Sequence, residues 1–399
     1  GSFWQSYLFL VPFSVFSLVA VFFIIKKSGA AFKRTFLYLN LLLFVFIMMD
    51  MVRIFINDNA GKYKLAAATD IEVSNDDTIT GPDIYYLILD AYTSTKILQR
   101  NFGYSNALME TDLKSKGFRM IPDSRSNYNY TVFSIGSSLN MNYLEDVDTI
   151  NRITDRTYLR QLGFIFQTKF ISFLMQKNYQ VFNHSIFDFK SYPSTIKGID
   201  FWGWRNLFDQ YNLPLKFINE SGYQLPKMIR DISGNEKYDI SKPGPKKYFA
   251  ETELEQILSS VRYQSPRPKF VYGHFLTTHS PYYFDSLGRD YKFDSVPVQE
   301  AYVHRVAYTN GLVKKITDSI VAYTKRPTAI IICGDHGVSF NDAPGSRNSF
   351  INFSAVYFSD KNYSLFTDST HSVNTFRIVM NTYFNKNYPL LDYKSFQIK

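Results

Sequence analysis

The sequence predicts an α/β domain, a mainly parallel sheet flanked by helices, preceded by two transmembrane helices. Three observations predict it. Short continuous apolar runs recur after residue 83, as strands buried on both faces of a sheet require. Longer stretches of helical pattern lie between them, and strands that alternate with helices build a parallel sheet covered by helices. Before residue 57 the chain instead carries two apolar runs of about bilayer-spanning length.

The membrane segment comes first. Phe3 to Ile25 holds no charge, and Phe36 to Ile56 holds only Asp50 and Arg53, near its far end. The short loop between them carries Lys26, Lys27, Lys33 and Arg34 and no acid, which marks the cytoplasmic side. Everything after about residue 57 is then expected on the periplasmic or extracellular face. A cleaved signal peptide fits less well, because there are two runs and the first is long; a buried helical hairpin is the other reading. The chain starts Gly1-Ser2 without an initiating Met, so it is expected to be a piece of a longer protein, with room for further spans upstream. Residues 57–82 are polar or small and end in Gly81-Pro82, and they read as a linker.

The main domain is expected over residues 83–399. Ile84 to Leu89 is its first strand and ends in Asp90. Phe270-Val271-Tyr272, Ala329 to Cys333 and Ala355 to Phe358 repeat the pattern, with helices expected over Glu251 to Val261 and Val303 to Val321. In such sheets ligands bind beyond the carboxyl ends of the strands. Residues from about 185 to 250, with Trp202 and Trp204, are less regular. They read either as an insertion that shapes a cleft or as a surface excursion with two packed tryptophans.

Composition narrows the function classes. Apolar residues make up 45% of the 399 and charged ones 20%, with 37 Phe and 30 Tyr, enough for a substantial core. The net charge of +9 attracts anionic surfaces. With no Lys/Arg block of the kind found in nucleic-acid arms, it points to a membrane surface and not to nucleic acid. The single cysteine, Cys333, excludes an intramolecular disulfide and leaves the compartment open.

Four local patterns carry chemistry. Ile331 to Gly337 reads Ile-Ile-Cys-Gly-Asp-His-Gly, so a buried strand delivers Asp335 and His336 together. Carboxylate and imidazole ligate zinc and also suit manganese, although a capping Asp and a surface His would look the same. Asp90 ends another strand and can complete such a site, or simply cap a turn. Thr131 opens a helix within Asn127 to Asn140, where the helix N-terminus favours phosphate; a metal beside its hydroxyl would make it a nucleophile. The plain alternative is a Thr that caps a helix. The stretch Gly273 to Tyr282 places His274 and His279, two of six histidines, after a central strand.

In this order, a strand-ending Asp, a helix-opening Thr, a His-x-Pro-Tyr segment and Gly-Asp-His-Gly resemble the alkaline phosphatase and sulfatase superfamily. Membrane-anchored lipoteichoic acid synthases and phosphoethanolamine transferases are similar in arrangement, and the likeness spans roughly residues 83 to 390. It implies an alkaline phosphatase-like fold and one divalent metal ion, zinc or manganese, held by Asp90, Thr131, Asp335 and His336. Thr131 would be the catalytic nucleophile, with His279 and His274 binding substrate phosphate. A second metal is left open, with His371 and Asp285 its nearest candidates, and Thr93 and Ser94 are rivals of Thr131 as nucleophile. No Cys/Ser-x-Pro-x-Arg stands near Thr131, so formylglycine-dependent sulfate-ester hydrolysis is not expected. The activity implied is metal-dependent transfer of a phospho-head-group, from a phospholipid or other phosphodiester at the membrane to an envelope acceptor, through a phospho-threonine. A phosphodiesterase or other sulfatase-like hydrolase, and a catalytically silent envelope binding protein, are the competing readings.

Overall fold

The computed structural model describes residues 81–144, 155–196, 244–280, 282–290, 296–338, 340 and 347–398, with helical positions at 16, 19, 23, 27, 39–46 and 48. The chain divides into two units, residues 1–70 with 200–239, and residues 71–199 with 240–399. In the first, the described helical positions Leu39 to Phe46 are apolar except for Asn40, and they are exposed. No helix among the described residues is long and apolar enough to cross a membrane. The remainder of the two expected spans, the linker over 57–80 and residues 197–243 of the expected insertion lie outside the described residues.

The second unit is built on a six-stranded sheet. Its strands are β1 (Asp83–Leu89), β2 (Arg119–Met120), β3 (Gln180–His184), β4 (Lys269–Phe275), β5 (Thr328–Cys333) and β6 (Ser354–Phe358). They lie in the order β2-β6-β5-β1-β4-β3. β1 pairs in parallel with both β4 and β5, and β3 with β4. β6 runs antiparallel to β5, and β2 to β6. Every residue of β1, β4 and β5 is buried, which explains why these three read as unbroken apolar runs.

Helices cover both faces. They are α1 (Thr95–Phe102), α2 (Ala107–Ser115), α3 (Thr131–Asn140), α4 (Asp155–Phe166), α5 (Lys169–Gln176), α6 (Gly244–Arg262), α7 (Val298–Tyr323) and α8 (Ser372–Phe384). Strand alternation splits the core in two. Ile84, Tyr86, Ile88, Phe270 and Ile331 pack with α3, α5 and α8 on one face. Tyr85, Leu87, Leu89, Val271 and Ile332 pack with α1, α2, α6 and α7 on the other. Phe376 of α8 meets Phe170 of α5 at a 4.2 Å centroid separation and Tyr86 at 4.8 Å. Burying a phenylalanine of this kind contributes about 1.5–3 kcal/mol.

Two strands escape sequence reading. β3 carries Asn183 and His184 and shows a half-buried pattern, while β2 is only two residues long. The helices over 244–262 and 298–323 run longer than the sequence predicts.

Beyond α8 the chain lies extended and outside the sheet, so its backbone polar groups need side-chain partners. Asparagine amides supply them. Asn381 and Asn374 each exchange two hydrogen bonds with the backbone of Tyr388 and Leu391 respectively. Asn129 does the same for Ile398, and Asn127 Nδ2 donates to the Lys394 carbonyl at 2.8 Å.

Candidate active site

The carboxyl ends of β1, β4 and β5 and the start of α3 converge. β1 ends at Leu89 and hands the chain to Asp90, which is 2% exposed. The Asp90 amide donates to the Phe275 carbonyl at 2.9 Å, and its own carbonyl accepts from the Thr278 hydroxyl at 2.5 Å. Ala91 follows with φ +57°, a left-handed conformation that costs a non-glycine residue about 1–2 kcal/mol. Two contacts hold it there. Its N–H donates to Asp335 Oδ1 at 3.0 Å, and its carbonyl accepts from the Tyr302 hydroxyl at 2.9 Å. The same hydroxyl accepts from the Thr93 N–H at 3.1 Å, so one buried tyrosine of α7 fixes the turn after Asp90.

β5 delivers the second acid. Asp335 Oδ1 also accepts from the His336 N–H at 2.9 Å, which leaves Oδ2 aimed away from the backbone. His336 Nδ1 lies 2.8 Å from the Gly337 carbonyl. With Nδ1–H donating there, the lone pair of Nε2 is presented to the site. The glycines of this motif serve proximity more than turning, since neither has positive φ. A Cβ on Gly334 would stand 2.3 Å from the Tyr92 carbonyl oxygen, and one on Gly337 2.2 Å from that of Asn348. Gly334→Ala is therefore expected to destabilise the protein by about 1–3 kcal/mol and displace Asp335. Chemical denaturation with metal analysis checks this, and an unchanged midpoint with full metal content would refute it.

Around His336 Nε2 the oxygens gather. Thr131 Oγ1 is 3.4 Å away, Asp335 Oδ2 3.6 Å and Asp90 Oδ1 3.9 Å. Ligands about 2.1 Å from one tetrahedral centre stand about 3.4 Å apart, so these spacings fit a single small cation. Asp90, Asp335 and His336 each place one ligand atom within 4.8 Å of the others. Most telling, Asp90 Oδ1 and Asp335 Oδ2 are buried with no hydrogen-bond partner. Two carboxylate oxygens without partners are costly in a protein interior, and a divalent cation between them removes that cost. The donor set of two carboxylates, an imidazole and a hydroxyl suits zinc or manganese.

Histidines surround Asp90. His274 is fully buried, with Nε2 3.4 Å from Asp90 Oδ2 and Nδ1 3.2 Å from the Tyr272 hydroxyl. His279 is partly exposed. Burial on its own pushes the Asp90 carboxyl up, but His279, then His274 and His336, outweigh it and hold Asp90 well below the usual carboxylate range. For His336, burial disfavours the imidazolium, yet Asp335 and Asp90 reverse that and raise it. The phenol of Tyr130, the residue before Thr131, is pushed up by burial and then by the Asp90 charge.

The rival nucleophiles are otherwise engaged. Thr93 is buried and donates to the Ile351 carbonyl at 2.8 Å, and Ser94 caps α1. His371 has Asn127 beside one ring nitrogen, and Asn374 and the Leu391 carbonyl beside the other. Asp285 binds Arg289, and neither joins the metal-ligand group found among the described residues. Sequence reasoning missed Tyr302, whose position in an ordinary helical stretch carries no signal. It also passed over Thr278, although that residue stands next to His279.

A family model described as Sulfatase matches residues 101–386, a span that includes Thr131, His274, His279, Asp335 and His336. Among solved structures, the chain is similar to the C-terminal periplasmic domain of EptC from Escherichia coli in complex with zinc. That match has 12% identity and a TM-score of 0.45, covering 71% of this chain and 75% of that one. It is also similar to the integral membrane lipooligosaccharide phosphoethanolamine transferase A from Neisseria meningitidis, at 13% identity and a TM-score of 0.45, over 95% and 70% of the two chains. A third is a Bacteroides thetaiotaomicron protein of glycosaminoglycan metabolism, at 13% identity and a TM-score of 0.47, over 76% and 72%. No curated protein matches the chain.

Proposed function

The chain belongs to the sulfatase family and is an enzyme of the sulfatase-like type, and on that premise we propose that it transfers a phospho-head-group through a phospho-threonine at Thr131. One observation carries the reading. Thr131 opens a buried helix, and its hydroxyl stands 3.4 Å from His336 Nε2, around which gather two buried carboxylates whose inner oxygens have no partner. Asp90, Asp335, His336 and Thr131 would hold one zinc or manganese ion. When bound, that ion lowers the pKa of the hydroxyl it touches and neutralises charge on the transferred group.

The residues do the rest. Thr131 Oγ1 gives up its proton to solvent and attacks the phosphorus of a phosphodiester. A P–O bond to threonine forms as the bond to the lipid alcohol breaks, and the departing alkoxide takes a proton from water. An acceptor hydroxyl then attacks the same phosphorus, loses its proton, and Thr131 Oγ1 leaves and is reprotonated. His279, partly exposed, would donate a hydrogen bond to a phosphate oxygen. His274 is buried behind Asp90, so its part is to hold that carboxylate, and its link to substrate is indirect.

Phosphorus is favoured over sulfate because Cys333, the one cysteine, is buried inside β5 with its thiol pushed up to about 12, by burial first and then by Asp335. The membrane reading rests on the two apolar runs and the basic loop between them, joined by the exposed apolar helix at Leu39 to Phe46. It sets the catalytic domain on the periplasmic or extracellular side, within reach of lipid head groups.

The test is to trap the adduct. Metal-loaded protein is mixed with phosphatidylethanolamine, quenched in acid, digested and examined by mass spectrometry. A phosphoethanolamine mass on the peptide holding Thr131 is expected, and head-group release with no adduct at any quench time would sink the proposal.

A further inference from the structure

The helix that carries the nucleophile lacks a side-chain cap. Tyr130 is its N-cap, in extended conformation, and contributes no capping hydrogen bond. The buried face of the helix fixes its body, while the first turn, where Thr131 sits, also depends on the lead-in residues 126–130, which form no regular strand. These residues are held from the far end of the chain. Phe396 N–H donates to the Asn127 carbonyl at 2.8 Å, and Phe396 stacks on Tyr128 with centroids 5.1 Å apart. Asn127 Nδ2 donates to the Lys394 carbonyl at 2.8 Å. Asn129 Nδ2 donates to the Ile398 carbonyl at 3.1 Å, while Ile398 N–H donates back to Asn129 Oδ1 at 2.7 Å.

We propose that residues 394–398 form a strap that sets the Thr131 hydroxyl against the metal ligands, and that Asn129 is the positioning residue through which it acts. The argument is geometric. Asn129 is two residues from Thr131, its amide spends both a donor and an acceptor on one backbone unit, and Ile398 is buried at 5% exposure. The segment before it is fixed as well, because Asn127 Oδ1 accepts from the Val373 N–H at 3.0 Å. Among the described residues, the one hydrogen-bond-range contact at the Thr131 oxygen is the 3.4 Å approach to His336, so its aim depends on the backbone that leads into the helix. A misplacement of about 1 Å costs on the order of 10²-fold in rate.

The inference rests on Thr131 as nucleophile, and its test separates the two ideas. Asn129→Ala is compared with a chain ending at Phe396, which removes the same two bonds from the other side, and with the two changes combined. Asn381→Ala is the control. It breaks an identical amide-to-backbone pair, at Tyr388, in the part of the C-terminal segment nearest α8. Turnover of bis(4-nitrophenyl) phosphate, bound metal and melting temperature are read for each.

Asn129→Ala and the shortened chain are each expected to lower kcat about 10- to 100-fold, with KM within about threefold and metal retained. Combined, they should do no more than either alone, as two cuts of one contact must. Asn381→Ala should keep kcat within about twofold while losing comparable thermal stability. A folded Asn129→Ala or shortened protein with kcat within twofold of wild type overturns the strap, as does an equal loss in Asn381→Ala. Full activity in Thr131→Ala would instead strike the nucleophile assignment, whatever the strap variants do.

Discussion

Thr131→Ala is expected to abolish phosphodiester turnover, with a fall of at least ~10³-fold in kcat and little change in fold or bound metal. The reason lies in how the site divides its labour. Asp90, Asp335 and His336 supply three of the four groups that would hold the cation, so it should stay when the hydroxyl goes. The helix should stay too, since Thr131 is its first residue and not its cap. A chromogenic diester assay with metal analysis checks this. Retained turnover would remove Thr131 from the mechanism; turnover lost together with the metal would reduce its role to that of a ligand. Thr131→Ser, which keeps a hydroxyl, should preserve measurable activity.

Asp335→Asn should act through the metal. Its Oδ1 accepts from the Ala91 and His336 amides, and an asparagine oxygen can take over both. The NH₂ group then occupies the place of Oδ2, now a partnerless acceptor, and points two N–H donors at a position built for a cation. Metal content at equilibrium is expected to fall at least tenfold and turnover at least ~10²-fold, with the apo melting temperature nearly unchanged. Exhaustive chelation of the wild type should reach the same end point, and readded zinc or manganese should restore only the wild type. Stoichiometric metal and normal turnover in Asp335→Asn would refute the site as drawn.

These four residues were legible in the sequence because each sits at the end of a strong local signal. Asp90 closes one unbroken apolar run, Asp335 and His336 close another, and Thr131 opens a ten-residue helix that is almost wholly buried. Buried parallel strands write themselves plainly. β3 does not, because its edge position admits Asn183 and His184, and β2 is too short to show a period. The supporting contacts were invisible for a different reason. Tyr302 acts on Ala91 across 211 residues and Asn129 on Ile398 across 269, and a tyrosine or an asparagine carries no mark of so distant a partner. Gly334 leaves room for the Tyr92 carbonyl, a close approach that a glycine in the sequence does not announce.

The order of the sheet bears on how the enzyme comes into being. β1 is made early, yet both its neighbours are late: Ile84 pairs with Phe270 on one side and Ala329 on the other. Until those segments have been synthesised, its two edges stay open to mispairing. Contacts of such sequence separation are slow to form, and partly built sheets of this kind aggregate readily. The catalytic centre thus cannot mature in step with synthesis. Its last ligands, Asp335 and His336, follow β5 and arrive only after a long interval in which a half-made sheet must be kept from other chains.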